Sequence, residues 1–251
     1  MMKKWKYICI LFMFYACSPE SIFDCFTRSG TTVTRAFEVD AFDEIIIYRN
    51  IALHLTYAEN ISLQIEAGDN LIDGIELDVN NGVLEIKAQD LCASGTKNPP
   101  YIVHLSTPNL GRIRNASQFK VKSTNTLKFD ELTLVSENYN FSDALSVGDF
   151  ELELELNKLN ISHAGISDFY LSGKANHLEL GIFAGTGRIF SENLHAKTCH
   201  IYHRGYGDVH LFAEEKITGE LRSTGNLILY RIPETIEIET FFTGELIFKT
   251  E

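Results

Sequence analysis

A short phrase built on glycine returns about every twenty residues between positions 159 and 250. It reads Ala164-Gly165-Ile166-Ser167-Asp168-Phe169, then Ala184-Gly185-Thr186-Gly187-Arg188-Ile189, and three looser copies follow. Gly165, Gly185, Gly205, Gly225 and Gly244 step by 20, 20, 20 and 19 residues. Four residues after each comes an apolar side chain: Phe169, Ile189, Val209, Leu229 and Phe248. A fixed period of this length marks stacked units, each burying its apolar face against its neighbours. Between the glycines apolar and polar residues alternate, as in Leu178-Glu179-Leu180 and Ile236-Glu237-Ile238. Such alternation is the mark of half-buried strand, and no unit has the length of apolar residues at helical spacing that a helix needs. Glycine at one recurring position fits a corner that requires positive φ. The expectation is an all-β chain wound as a parallel β-helix, a solenoid of ~20-residue coils with these five glycines as its structural corners.

In such a stack each position defines a column. Three residues after each glycine stand Asp168, Arg188, Asp208, Ile228 and Ile247, an outer column. Five residues after the first four glycines stand Tyr170, Phe190, His210 and Tyr230. If the position before them points inward, these rings form an outward column, a candidate surface for glycan stacking or protein docking. A contact shielded under a loop would use the same residues. Ala175, Leu178 and Leu180 match Ala196, Cys199 and Ile201 at a shift of 21, which puts Cys199 inward as a buried core thiol.

The start of the 251-residue chain is a leader. Lys3, Lys4 and Lys6 precede a short apolar run from Tyr7 to Tyr15, and Ala16 precedes Cys17. This is a signal peptide over residues 1–17, too short to span a bilayer, with a lipobox-like end that makes Cys17 the lipidation site. Its removal takes the formal charge from −12 to −15, a poor balance for nucleic acid or anionic lipid. Residues 18–34 read as a tether and residues 35–251 as one β-helix domain, loose over 35–158 and regular over 159–250. Cys25 and Cys92 both lie in polar, loop-like surroundings and are a candidate disulfide in an oxidising compartment. Alternating strands fall at Ile51–Leu55, Ile61–Glu66, Ile75–Val79, Val83–Ala88 and Tyr101–Leu105, with a hairpin signal at Asn80-Asn81-Gly82. Asn115 and Asn140 stand where earlier corners would fall, since asparagine tolerates the left-handed region.

Phe37-Glu38-Val39-x-x-Phe42-Asp43-x-Ile45, Glu66-Ala67-Gly68-Asp69-Asn70-Leu71 and Val79-Asn80-Asn81-Gly82-x-Leu84-x-Ile86 carry a resemblance, with Pro108-Asn109-Leu110 after them. In this order they are similar to the auto-transporter adhesin family with the head GIN domain, abundant in Bacteroidota, over about residues 35 to 250. The resemblance implies a right-handed β-helix on an exported, often lipid-anchored envelope protein. It brings no catalytic residues to carry over. The chain departs from the family's glycine-rich corners at Asn115-Ala116-Ser117-Gln118 and Asn140-Phe141-Ser142-Asp143.

No nucleophile elbow, P-loop or dinucleotide fingerprint appears. His195, His200, His203 and His210 lie close in sequence to Asp208, but the reading is of scattered outward histidines. His163 and His203 would stand two coils apart, ~10 Å by strand spacing, too far for a shared ion. Neither a metal nor a cofactor is expected. Glu151, Glu153 and Glu155 alternate along one strand, as do Glu237 and Glu239, which a solvated strand face produces without any catalytic purpose. The expected function is that of a non-catalytic envelope lipoprotein acting as adhesin, binding protein or scaffold. It would be exported and anchored to the outer membrane, on its periplasmic face or the cell surface. Its partners would be a glycan or an envelope or host protein, not nucleic acid, with oligomers allowed. A carbohydrate-active β-helix enzyme and a self-assembling envelope protein are the alternatives.

Overall fold

The computed structural model describes residues 29–88, 99–139 and 144–249. Cys17, Cys25, Cys92 and Asn140 lie outside the described residues, as do residues 1–17, the stretch read as a leader. The first part of the chain holds β1 (Thr32–Phe37), β2 (Glu44–Ile47), β3 (Ile51–Tyr57), β4 (Ser62–Gly68), β5 (Ile75–Asn80), β6 (Val83–Ala88) and β7 (Tyr101–Thr107). Next come β8 (Arg112–Asn115), β9 (Val121–Ser123), β10 (Glu131–Ser136), β11 (Phe150–Gly165), β12 (Phe169–Gly185) and β13 (Ile189–His203). The last four are β14 (Val209–Leu221), β15 (Leu227–Leu229), β16 (Thr235–Thr240) and β17 (Leu246–Phe248).

The chain is all-β, but it is not a right-handed parallel β-helix. All 17 strands of the described residues join one mixed sheet, curled as a half-barrel. β1 pairs antiparallel with β4, β4 with β7, and β5 with β6. β10 to β14 pair in parallel, each with the next. The twenty-residue phrase is thus the spacing between laterally paired strands of that sheet. Alternation could not reveal the antiparallel part, because parallel and antiparallel strands share a period of two. Its one local sign was the turn at Asn81 and Gly82, with φ of 51° and 79°, a two-residue loop that closes β5 on β6. β1 opens at Thr32, inside the stretch read as a tether.

The corners differ as well. Of the five recurring glycines only Gly185 has positive φ, at 95°. What the phrase needs is closeness: a Cβ on Gly185 would lie 1.8 Å from Gly165 O, and one on Gly225 2.3 Å from the His203 ring. Asn115 is likewise not left-handed. It ends β8, accepts the Ser117 N–H through Oδ1 and donates from Nδ2 to Phe119 O.

β11, β12 and β13 run 16, 17 and 15 residues. Register shifts at His163/Ala164, between Tyr170 and Ser172, and between Ser191 and His195 interrupt their ladders. Each such bulge bends the strand and adds twist, which is how strands this long curl around their own apolar side. That side is one continuous core running from Ile45 to Leu229. Phe150 and Phe169 stack within it at 4.7 Å and 8°, both fully buried. Burial of a side chain of this size contributes about 1.5–3 kcal/mol.

Candidate functional site

The structure brings Tyr170, Phe190, His210 and Tyr230 together. Tyr170 stacks on Phe190 at 5.0 Å and 10°, and Phe190 on His210 at 5.1 Å and 28°. The strands place the first three in lateral register. They do not place the fourth. Val209 pairs with Leu227, a step of 18, so the strand neighbour of His210 is Ile228. Tyr230 reaches back from two residues further on, tilted at 38° with centroids 5.8 Å apart. Its hydroxyl and His210 Nδ1 lie 3.0 Å apart. Tyr170 is 40% exposed, and the other three are half-buried.

The orientation of the rings decides what they can do. Their faces meet one another along the column. At its two ends Lys120 Nζ sits 5.7 Å from the Tyr170 ring and Lys249 Nζ 5.2 Å from the Tyr230 ring. Arg188 lies 5.1 Å from Phe190 and pairs with Asp168 at 2.6 Å. Cations over ring faces are attracted by the ring quadrupole. The ladder therefore presents ring edges, rather than faces, to a visitor. Burial first, and then nearby Asp168, push the Tyr170 hydroxyl above the usual phenol range.

A second ladder runs beside the rings. Asp149 Oδ1 accepts the Asp168 N–H, Asp168 Oδ1 the Arg188 N–H, Asp208 Oδ1 the Asn226 N–H, and Asn226 Oδ1 the Glu245 N–H. This corrects the outer column, in which Asn226 and Glu245 replace Ile228 and Ile247. The missed signal was an acidic or amide residue directly before the first inward apolar residue of a strand: Asp149-Phe150, Asp168-Phe169, Asp208-Val209 and Asn226-Leu227. Each bond satisfies a main-chain donor at a strand start, where the sheet ladder has not yet begun.

A groove of about 340 Å³ opens against the Tyr170 end of the ladder. Tyr170 and Phe190 form one wall, and Ser123, Thr124, Asn125, Ser172 and Asn193 contribute hydroxyls and amides. Glu151, Glu153 and Glu192 supply carboxylates. Lys120 donates to Glu151 at 2.6 Å and holds its carboxyl below the usual range. Thr126 donates to Glu153 at 2.6 Å, while Glu192 Oε2 is buried without a hydrogen-bond partner. Of these polar wall residues only Glu151 and Glu153 were singled out in the sequence.

The remaining candidates scatter. His195 stacks on Phe212 at 4.2 Å, and His200 lies 2.9 Å from Thr218 Oγ1. His163 and His203 are not on the surface: both are buried, in one inward column with Ile182 between them. Their alternation with Ile161 and Ile201 places them inward, a parity the histidine search overlooked. Among the described residues no three His, Cys, Asp or Glu side chains converge as metal ligands. Cys199 pairs laterally with Leu178, and burial pushes its thiol up to about 12. Glu155 pairs with Lys128 at 3.1 Å and Glu237 with Lys216 at 3.1 Å, so these carboxylates belong to solvated strand faces. Among the described residues no helix is long and apolar enough to cross a membrane.

Residues 41–233 match the family described as "Putative auto-transporter adhesin, head GIN domain". No curated protein matches the chain. Among solved structures, a "putative adhesin" from Bacteroides fragilis is 23% identical with a TM-score of 0.76, covering 88% of this chain and 98% of that one. A "putative lipid binding protein" from Parabacteroides distasonis is 16% identical with a TM-score of 0.61, covering 88% and 97%. A "putative adhesin" from Parabacteroides merdae is 15% identical with a TM-score of 0.59, covering 88% and 97%. At these identities the likeness is one of fold.

Proposed function

Because this chain belongs to the head GIN domain family of auto-transporter adhesins, we propose that it is a non-catalytic, exported envelope protein that works by binding. We place its ligand site in the groove beside the ring ladder and its membrane anchor at a lipidated Cys17. The observation that carries the reading is the make-up of the groove: hydroxyls, amides and carboxylates facing a wall of two aromatic side chains. That combination suits a glycan, whose hydroxyls both donate and accept while its C–H faces need an apolar wall. Two of the three carboxylates are already engaged, Glu151 by Lys120 and Glu153 by Thr126, which fits binding better than catalysis.

The test is an array of glycans and matrix proteins probed with the full chain and with Tyr170→Ala, Phe190→Ala and Asn193→Ala. A hit weakened tenfold or more by any of the three supports the reading. A hit that all three retain puts the site elsewhere. Turnover of a glycan would replace binding with carbohydrate chemistry. A second reading, envelope scaffold, is favoured by the two lysines that close the ends of the ring ladder. In it the rings stabilise the sheet and bind nothing, and an empty array together with a lowered melting temperature for Phe190→Ala is its signature.

A further inference from the structure

The two ends of the sheet are finished differently. At the start of the chain, β1 and β5 fold back antiparallel on β4 and β6 and are themselves bonded on one side. At the other end β16 pairs with β14 and β17 with β15, and neither has a second partner among the described strands. The core beneath is incompletely covered: Ile236, Ile238 and Leu246 pack against it but are only half-buried. Phe241, Phe242, Ile247 and Phe248 around them are 51%, 64%, 38% and 45% exposed. An edge of this kind, with bare main-chain groups and apolar residues, is a template for one more strand.

The direction of the open groups follows from one bond. The Phe241 N–H donates to Leu221 O on β14. Main-chain groups alternate sides along a strand, so the amides of Ile236, Ile238 and Thr240 point to the open edge. Their side-chain partners follow the same alternation: Ile236 and Ile238 face the core, while Glu237 and Glu239 are exposed on the outer face.

Charge selects among occupants. A second copy pairing antiparallel with its inward residues aligned sets Glu237 opposite Thr235, itself or Glu239, according to register. Like charges directly opposite destabilise a strand pair. A copy docking by its other end offers the edge strand β5, whose outer residues are Glu76 and Asp78. Strand β1, also bonded on one side, offers Thr32, Thr34 and Ala36 at its outer positions, so no self-pairing sets a base beside the two glutamates. We infer that the open edge of β16 receives an extended segment of another protein, apolar at alternate positions and basic at the positions between. Its apolar residues would complete the core end over Ile236 and Ile238, and its Lys or Arg side chains would lie beside Glu239 and beside Glu237, which Lys216 already pairs from the β14 side.

The probe is a fluorescent peptide, Thr-Val-Lys-Val-Lys-Val-Thr, titrated with the full chain and read by anisotropy. The control peptide carries Glu for Lys. The Lys peptide is expected to bind at least tenfold more tightly than the control. Glu237→Lys/Glu239→Lys should reverse that order. Thr240→Pro, which removes an open-edge amide and no bond to β14, should weaken the Lys peptide tenfold with an unchanged melting temperature. Equal binding by the wild-type chain and Thr240→Pro would mean that the acidic surface attracts the peptide without an edge, and would overturn the proposal. So would no binding at all, or a concentration-dependent dimer in sedimentation that outcompetes the peptide. The groove variants leave this edge untouched and Thr240→Pro leaves the groove untouched, so the two readings fail separately.

Discussion

His163 shows how much one misplaced charge can matter in this core. It is fully buried against Phe169, with ring centroids 5.3 Å apart, and its ring nitrogens have no hydrogen-bond partner of normal geometry. Burial holds its pKa down to about 4, outweighing the Ser136 main chain and Asp168, while His203 adds a little to the lowering. The folded state thus keeps the ring neutral, whereas the unfolded chain takes up a proton below pH ~6.5. The stability is present above pH ~6.5 and is lost as pH falls towards 4, by about 3 kcal/mol from this residue. His203 shifts in the same direction by burial. Urea unfolding at pH 7.5 and pH 4 should show the loss, and His163→Leu should remove a large part of its pH dependence. An equally steep pH dependence in the variant would assign the acid sensitivity to carboxylates. Gly185 is a second sensitive residue. Its φ of +95° and the 1.8 Å approach to Gly165 O leave no room for a methyl group. Gly185→Ala should cost at least about 2 kcal/mol, whereas Gly111→Ala, whose Cβ would meet nothing nearer than 3.5 Å, should cost less. Equal losses in thermal unfolding would refute the packing argument.

At the scale of elements, the Arg114–Glu137 pair joins β8 to the residue just after β10. Arg114 donates to Glu137 Oε1 and to Glu137 O, each at 2.8 Å, and the two side chains are only 8% and 10% exposed. Removing one partner leaves the other charge buried. Arg114→Met should therefore cost about 3–5 kcal/mol, and adding Glu137→Leu should recover most of it. A double variant no more stable than the single one would show that the pair's shape matters more than its charge. Nothing in the sequence marked this pair, because the two residues are 23 apart and outside the regular phrase. The strands themselves were legible: alternation located β3 to β7, and the match of Ala175 to Ala196 gave the register of β12 on β13. Counting from glycine to glycine failed between β14 and β15, where the lateral step shortens to 18. Hence the first three rings of the ladder could be read from spacing, while Tyr230 joins them only through its side chain. The groove walls could not be read, since Ser123 to Asn125 are brought to Asn193 through the pairing of β9 with β11, whose step lies outside the twenty-residue phrase.

For the whole molecule, what sets local stability is how many neighbours a strand has. β12 and β13 are hydrogen-bonded on both sides and contribute Phe169, Ile189 and Ile201, all fully buried. β16 and β17 are bonded on one side and have no fully buried residue. Opening β16 exposes little apolar surface and breaks one ladder, whereas opening β12 breaks two and uncovers the middle of the core. Local opening free energies should therefore rise from the β16 end inward. Native-state hydrogen exchange should find the amides of β16 that bond to β14 protected at least ~100-fold less than those of β12. The other end provides the comparison: β5 is also bonded on one side and its Leu77 and Val79 are half-buried like Ile236 and Ile238, but the Asn81–Gly82 turn ties it to β6. Its amides should exchange more slowly than those of β16. If β5 and β16 exchange alike, edge position alone governs opening. If all strands exchange alike, the sheet opens as one unit, and the incomplete cover over Ile236 and Ile238 carries no energetic weight. If the predicted order holds, adding the Lys-alternating peptide should slow exchange in β16 and leave β5 unchanged, because a new strand can protect only the edge it joins.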